Sequence, residues 1–535
     1  MKKLLALCLM LCITCCLYAQ PNVVLNKTYG GTGSEVMGGV ARIGNKLYAA
    51  DMINEVSGDI QCNLHNNDGS NDIRVCCLDL NGNIIWQQCY GGSKEDFIVD
   101  IISTKDSCLF IAGYTSSSDG DIQNNNFPNN FNCWVFKIDT NGVLLWQNCF
   151  GSPGQDNVFK TMQLRNGKYL VDCTSASGGG EFPIHGSGWD DDAWLALINS
   201  DGSFDTAYHF GGNDDDQIYE THELPNGDLL SFGATQSTDG DFNVQVWGGP
   251  PAYWDATSIL CDSIGTIKYV KVYSGDGSDF LMSAVPMADG SFIAIGQTDS
   301  HTGYFSMNYN VSRLWFLRID SSGNPMYWNF YGGLPGDAGV GPVACLKAEL
   351  LNNGVISGVC YSYTSTGNVG LNFGNSDFWF WAIDTIDNFL GGLDVGGSDA
   401  DQGPIGEYLG GILFAGGVTW SNDYFVSNNH GNADSWLIGI DHFNMIGNVE
   451  PKTDCVKISP NPLTNKFFLA VCPDIIPQQA TLFVYDLQGR QIIRKKITNE
   501  TEEIFLPKLS AGPYMYSILK PDHSVLFTGK LIVQQ

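Results

Sequence analysis

Two loops of the chain share an acidic signature. "TSSSDGDIQNNN" (115–126) sets Asp119 beside Asp121, and "TQSTDGDFN" (235–243) sets Asp239 beside Asp241. Two carboxylates so close together offer hard oxygen ligands of the kind Ca2+ takes. Neither loop carries the distal glutamate that closes a helix–loop–helix Ca2+ site, so turn-capping acids are the competing reading. Two other loops mix acids with aromatics. "HGSGWDDDAW" (185–194) holds Trp189 and Asp190, and "VQVWGGPPAYWD" (244–255) holds Trp247, Tyr253 and Trp254. Such rings stack on sugar faces while carboxylates accept hydroxyl protons; they also serve to cap the ends of a core.

Catalytic chemistry finds less support. Acid pairs such as Asp190–Asp192 and Asp214–Asp216 are the residue types of glycoside hydrolysis. Residues 20–451 hold 50 Asp and Glu, however, so such pairs arise by chance. The eight His form no H-E-x-x-H, and no G-x-S-x-G elbow occurs. No C-x-x-C pair follows the leader, which removes the usual zinc spacing. The sequence therefore points to no catalytic residue and to no cofactor other than Ca2+.

The elements that must carry these loops show in a repeat. An aromatic or apolar residue, a glycine turn and an acid recur as "YGGTGSE" (29), "YGGSKED" (90), "FGSPGQD" (150), "FGGNDDD" (210), "YSGDGSD" (273), "YGGLPGD" (331) and "VGGSDAD" (395). Successive spacings are 61, 60, 60, 63, 58 and 64 residues. After each acid come an apolar strand ("FIVDII", 97–102), a second ("CLFIAGY", 108–114), a long polar loop and a third ("CWVFKID", 133–139). A tight turn such as Asn141-Gly142 then leads to a fourth strand ("VLLWQNCF", 143–150). Period-2 alternation marks them as strands. Four strands per unit, seven times over, predict a seven-bladed β-propeller. The chain after its leader opens on a lone fourth strand, "PNVVLNKTYGG", and the last unit lacks one. The N-terminal strand is expected to complete the last blade and cover its edge. Asp96, Asp156, Asp216, Asp279, Asp337 and Asp401 recur in one slot, and a once-per-unit acid reads as a turn cap rather than a catalyst. The long loops gather on one face, where a ligand would sit.

The unit, read as D-x-W-x-x-K-x-D-x-x-G-x-x-x-W-x-x-x-Y-G-G over residues 22–441, resembles the repetitive secreted propeller-like proteins of Bacteroidetes bacteria. "KIDTNGVLLWQNCFG" (137–151) is also similar to a quinoprotein-type strand pair. Both resemblances imply fold and not activity.

From Thr453 the pattern changes to short alternating strands that predict a small β-sandwich. Pro460-Asn461-Pro462, Asp486 with Gly489-Arg490, Leu509, Ala511-Gly512 with Tyr514, and the terminal "GKLIV" resemble the C-terminal sorting domain of type IX secretion substrates. Pro513 stands where that family often has Val or Ile. The resemblance implies type IX machinery as partner, passage through the periplasm and a place at the outer cell surface or beyond it. Cys455 and Cys472 bracket two of these strands. A hairpin centred between Leu463 and Thr464 pairs residue i with 927 − i, which sets the two cysteines opposite each other at disulfide reach.

Charge and leader bound the rest. The formal net charge is −30, and residues 20–451 hold 15 basic against 50 acidic residues. Residues 452–535 hold 10 basic and 7 acidic. So acidic a body would repel a phosphate backbone, which excludes nucleic acid as partner. "MKKLLALCLMLCITCCLYAQ" has a basic start, a short apolar run and Ala19 before the expected cut, the grammar of a signal peptide. No later segment has 18 consecutive apolar residues, so a membrane-spanning helix is not expected. The organisation expected is a signal peptide (1–19), a propeller (20–444), a linker (445–452) and an Ig-like sorting domain (453–535). The role expected is binding or structural, toward a surface glycan or protein. The alternative is a propeller-type glycan hydrolase using loop-face carboxylates.

Overall fold

The computed structural model describes residues 22–441 except 66–68, 183–189, 244–252, 304–312, 333–342, 352–353, 365–367, 370–371, 386–387 and 410. It also describes residues 456–533 except 460–465, 472–479, 486–490, 500, 507–508, 510–511 and 520–524. The chain divides into two compact units, Met1–Gly447 and Asn448–Gln535.

The first unit is built from antiparallel four-stranded sheets. The N-terminal strand is β1 (Asn22–Tyr29). The first sheet joins β2 (Val36–Ile43), β3 (Lys46–Ile53), β4 (Asp72–Leu78) and β5 (Ile84–Tyr90). The second joins β6 (Asp96–Ser103), β7 (Leu109–Thr115), β8 (Asn132–Ile138) and β9 (Leu144–Phe150). The third joins β10 (Asp156–Gln163), β11 (Tyr169–Ser175), β12 (Asp192–Ile198) and β13 (Phe204–Phe210). The fourth joins β14 (Asp216–Glu223), β15 (Leu229–Thr235), β16 (Asp255–Cys261) and β17 (Ile267–Tyr273). The fifth joins β18 (Asp279–Pro286), β19 (Phe292–Thr298), β20 (Arg313–Ile319) and β21 (Pro325–Tyr331). The sixth joins β22 (Val343–Leu350), β23 (Val355–Ser362), β24 (Asp377–Asp384) and β25 (Phe389–Val395). The last strands are β26 (Asp401–Leu409), β27 (Ile412–Thr419) and β28 (Asp434–Asp441), and β1 completes their sheet by pairing with β28 from Asn22↔Asp441 to Tyr29↔Ser435.

Each sheet's first strand touches the first strand of the next sheet, and β26 returns to β2, so the first strands make a closed cycle of contacts. The third strands are buried on both faces, with Trp134, Trp194, Trp315, Trp379, Trp381 and Trp436 fully enclosed between sheets. Their near-continuous apolar runs follow from that two-sided burial.

Three recurring contacts join the sheets, and each explains a piece of the repeat. The outer-strand aromatic packs on the next sheet's hairpin turn. Trp86 Nε1 donates to the Thr140 carbonyl at 3.2 Å, and the Tyr90 hydroxyl donates to the Gly142 carbonyl at 2.6 Å. Gly142 has φ +82°, and a Cβ there would lie 3.0 Å from the Trp86 ring. Before that glycine, Asp139 Oδ1 accepts the N–H groups of Asn141 (2.8 Å) and Val143 (2.9 Å), so the aspartate of K-x-D-x-x-G shapes the turn.

Nearer the cycle of first strands, those strands carry bulges at Ile98/Asp100, Val158/Lys160, Ile218/Glu220 and Leu281/Ser283. The first strands are also the edges of their sheets, which leaves outward N–H groups without a partner in the sheet, and the preceding sheet supplies acceptors. Thr161 N–H goes to Asp100 Oδ2 (3.0 Å), Ala284 N–H to Glu220 Oε2 (2.7 Å) and Ala348 N–H to Ser283 Oγ (3.2 Å). The third contact lies in the glycine turns and belongs to the candidate site.

The second unit has two sheets. One orders β29 (Val456–Ser459), β30 (Lys466–Val471) and β33 (Thr501–Phe505). The other orders β32 (Gln491–Lys496), β31 (Thr481–Tyr485), β34 (Gly512–Leu519) and β35 (Val525–Val533). Phe467 and Leu469 from the first, and Leu482, Val484, Ile518 and Leu531 from the second, share one buried core.

Candidate functional site

The four acids singled out for Ca2+ stand where long loops meet the glycine turns. Asp119 Oδ1 accepts Ser93 N–H at 2.7 Å, and Asp121 Oδ2 accepts Gly91 N–H at 3.3 Å. Asp239 Oδ1 accepts Asn213 N–H at 3.0 Å, and Asp241 Oδ2 accepts Gly211 N–H at 3.2 Å. The same duty falls to Asp59 at Gly30 (3.0 Å), Glu181 at Gly151 (3.1 Å) and Asp423 at Ser398 (2.7 Å). Asp121 N–H returns a bond to the Gly91 carbonyl at 2.9 Å, which makes the contact a two-way latch. These acids recur as turn acceptors in sheet after sheet. Among the described residues no group of three or more His, Cys, Asp or Glu is arranged to hold a metal.

The once-per-unit acid lies under that latch. Asp96 is fully buried; it accepts Gly92 N–H at 2.6 Å, the Ser117 hydroxyl at 3.1 Å and the Thr115 hydroxyl. Asp216 repeats the set with Gly212 (2.9 Å), Ser237 (2.9 Å) and Thr235. Asp156 accepts from Ser152 N–H (2.7 Å) and Asp401 from Gly397 N–H (2.7 Å). Asp337 lies outside the described residues. Burial pushes the Asp96, Asp156 and Asp216 carboxyls up to about 7 against the pull of these donors. For Asp96 and Asp216 the neighbouring carboxylates Asp72 and Asp192 add to the rise.

Beside the acids runs an arc of half-buried aromatic rings. Phe159 on β10 meets Tyr219 on β14 at 5.2 Å between centroids. Tyr219 meets Phe280 on β18 at 6.4 Å, and Phe280 meets Trp254 at 5.9 Å. The Tyr219 hydroxyl donates to Gln217 Oε1 at 2.6 Å. The arc crosses the first strands of three successive sheets, and the preceding sheet adds Phe97, Tyr114 and Phe131, mutually 5.1–5.5 Å apart. Of the aromatic residues singled out in the sequence, Trp254 joins the arc and Tyr253 stands exposed next to it, while Trp189 and Trp247 lie outside the described residues. Asp190 is exposed near Asp191, whose N–H donates to Asp215 Oδ1 at 2.9 Å. Burial, with Asp215 and Asp192 adding repulsion, raises the Asp191 carboxyl to about 6.

Sequence reasoning missed Phe97, Phe159, Tyr219 and Phe280, although each sits one or three residues after a junction acid. It also missed a belt of charge on the first strands. Lys160 Nζ stands 3.3 Å from Asp100, Lys347 Nζ 3.2 Å from Glu407, and His222 Nε2 3.4 Å from Glu220. Burial alone would raise Glu220, but His222, Lys347 and Lys160 outweigh it and hold that carboxyl at about 2. The signal was a charged residue inside an apolar strand, as Asp100 in "FIVDII".

A disulfide, Cys62–Cys89, was likewise not expected; it ties the first sheet's long loop to its outer strand at a Cα separation of 5.5 Å. Of the sorting motif, Gly512 opens β34 and Tyr514 is buried in the second unit's core, while Pro460, Asn461, Pro462, Asp486, Gly489 and Arg490 lie outside the described residues. Cys455 and Cys472 lie outside them too.

Residues 457–534 match the family described as the secretion system C-terminal sorting domain. The chain carries a type IX sorting tail. The tail directs secretion to the cell surface or outside the cell, and no helix among the described residues is long and apolar enough to cross a membrane. No curated protein matches the chain by sequence. Among solved structures the chain is similar to PorZ, described as an essential bacterial surface component of the type IX secretion system of Porphyromonas gingivalis. Identity is 12% and the TM-score 0.40, over 93% of this chain and 59% of that one. It is also similar to the polysaccharide lyase Uly1 (11%, 0.42, 79% of this chain and 92% of that one). The Neurospora crassa Pan2 WD40 domain is a third (10%, 0.36, 78% and 95%). All three are distant, and none assigns an activity. The tailed chain is thus an all-β, propeller-like repeat protein with a type IX export signal.

Proposed function

We propose that the tailed protein is a seven-bladed propeller working as a binding module at the outer cell surface, followed by an Ig-like sorting sandwich. The boundaries proposed are 1–19, 20–444, 445–452 and 453–535. The observation that carries the reading is the arc Phe159–Tyr219–Phe280–Trp254. It gathers half-exposed rings from three sheets, Phe159, Tyr219 and Phe280 on first strands and Trp254 just before the third strand β16, where a rigid scaffold holds them in place. The ligand is a surface glycan or a protein. Ca2+ at Asp119, Asp121, Asp239 and Asp241 is the proposed accessory ion, with the paired carboxylates of each loop as its hard oxygen ligands. A glycan and protein array probed with the mature chain, with and without Ca2+, tests both points. Absence of any ligand under either condition refutes the binding reading.

One observation favours a second reading. Burial, with repulsion from Asp215 and Asp192, raises the Asp191 carboxyl to about 6, and Asp191 N–H donates to Asp215 Oδ1 at 2.9 Å; a carboxyl so raised with a second aspartate in its surroundings supplies the residue types of glycan hydrolysis. Release of reducing ends from a polysaccharide, lost in Asp191→Asn, would favour it over binding alone.

A further inference from the structure

The aromatic arc lies in the most one-sidedly charged part of the chain. Residues 169–267 contain 17 Asp and Glu and not one Lys or Arg. This stretch supplies Tyr219 and Trp254 to the arc. The cations that flank it are already committed: Arg165 pairs with Glu223 (3.8 Å), Lys168 with Asp205 (2.8 Å) and Lys268 with Asp228 (2.6 Å). Among the described residues none pairs with Asp190, Asp191, Asp214 or Asp215. Asp214 and Asp215 lie in the turn that leads into β14, the strand that carries Tyr219, and Asp191 N–H donates to Asp215 Oδ1 at 2.9 Å. Aromatic faces carry negative electrostatic potential, so rings on a strand entered through unneutralised carboxylates favour a cation and disfavour an anion.

We propose that this surface takes a lysine- or arginine-bearing segment of another polypeptide, with its cationic side chains laid over Tyr219, Phe280 and Trp254 and its charge answered by the Asp190–Asp191 and Asp214–Asp215 groups. The inference rests on the binding reading and names its ligand chemistry. The acidic field speeds encounter with such a partner, and the rings give the contact its position. An anionic polysaccharide is excluded by the same field.

The test uses the mature full-length chain and a short labelled peptide of alternating lysine and serine, followed by fluorescence anisotropy. A glutamate–serine peptide and a neutral glucan oligosaccharide are the other arms. The lysine peptide is expected to bind, to weaken as salt rises, and to lose about fivefold in affinity with Trp254→Ala or Tyr219→Ala. Tyr219→Phe, which keeps the ring, retains binding, and Asp214→Asn with Asp215→Asn weakens it. Thermal melts of each variant separate lost binding from lost folding. Lysine-peptide binding indifferent to both ring variants would overturn the inference, since diffuse charge then accounts for it. Binding of the glucan but not the lysine peptide would overturn it while leaving the binding reading intact. Binding of no probe would overturn it as well, and the array described above then decides the broader reading.

Discussion

Replacing Gly120 by alanine should open one latch between successive sheets, and Gly167→Ala supplies the control. Both glycines have positive φ, +63° and +91°. An alanine in that region costs about 1–2 kcal/mol from backbone conformation alone. At Gly167 nothing lies within 4 Å of the added methyl, so that cost is the whole effect. At Gly120 the methyl would stand 2.4 Å from the Gly91 carbonyl oxygen and 3.0 Å from the Gly92 Cα, both backbone atoms that cannot swing aside. The loop must lift, and three bonds go with it: Asp121 N–H to the Gly91 carbonyl (2.9 Å), Gly91 N–H to Asp121 (3.3 Å) and Ser93 N–H to Asp119 (2.7 Å). A neutral bond contributes about 1 kcal/mol and one to a carboxylate about 1.5–3, reduced here because Asp119 and Asp121 are partly exposed. The difference between the two variants is then on the order of 2–4 kcal/mol. Urea unfolding of the mature protein measures it. Hydrogen exchange should speed up in residues 89–96 and 115–125 for Gly120→Ala only. Equal destabilisation by both substitutions, with exchange unchanged around Gly91, would refute the latch.

Four other outcomes are expected. Deleting residues 20–29 removes β1, exposes the β28 edge and strips Trp436 of its partner Asn26 (2.8 Å), so the melting temperature should fall and the protein should self-associate; an unchanged melt and a monomer on size exclusion would count against closure by β1. Stability should rise as pH falls from 8 toward 5: Glu35, Asp96, Asp156, Asp216 and Asp377 have folded carboxyls near 7 against unfolded values near 4, so the folded state binds more protons across that window, and a urea midpoint flat or falling on acidification contradicts this. Deleting residues 453–535 should strand a folded propeller in the periplasm, checked by fractionation and immunoblotting; normal surface levels would rule out sorting by the tail. Cys455 and Cys472 should be disulfide-bonded, because the observed pairs Val456↔Val471 through Ser459↔Phe468 all sum to 927; mass spectrometry of unreduced periplasmic protein finding both thiols free would dismiss the bond.

The sequence alone determined the parts of the fold that repeat locally. A glycine turn, an acid and four apolar runs at a near-constant spacing specify one four-stranded sheet each, because strand alternation and turn chemistry are read from neighbours in the chain. The lone strand before Tyr29 implied its partner at the far end by simple counting, and β1 does pair with β28. The sorting tail was legible for the same reason, as ordered short motifs. What depends on contacts between units was not legible. That Asp119 and Asp241 accept the N–H groups of Ser93 and Gly211 was not readable, because those donors lie some tens of residues back along the chain and meet the acids only when the loop folds onto the preceding turn. Asp100 passed as one polar interruption of a strand until the next sheet brought Thr161 and Lys160 to it. Phe159, Tyr219 and Phe280 sit about sixty residues apart, and no local pattern says that their rings touch. Closing the cycle of first strands converts that regular separation into adjacency. Side-chain neighbourhoods across sheets are therefore set by tertiary geometry, while the sheets themselves are set by the chain.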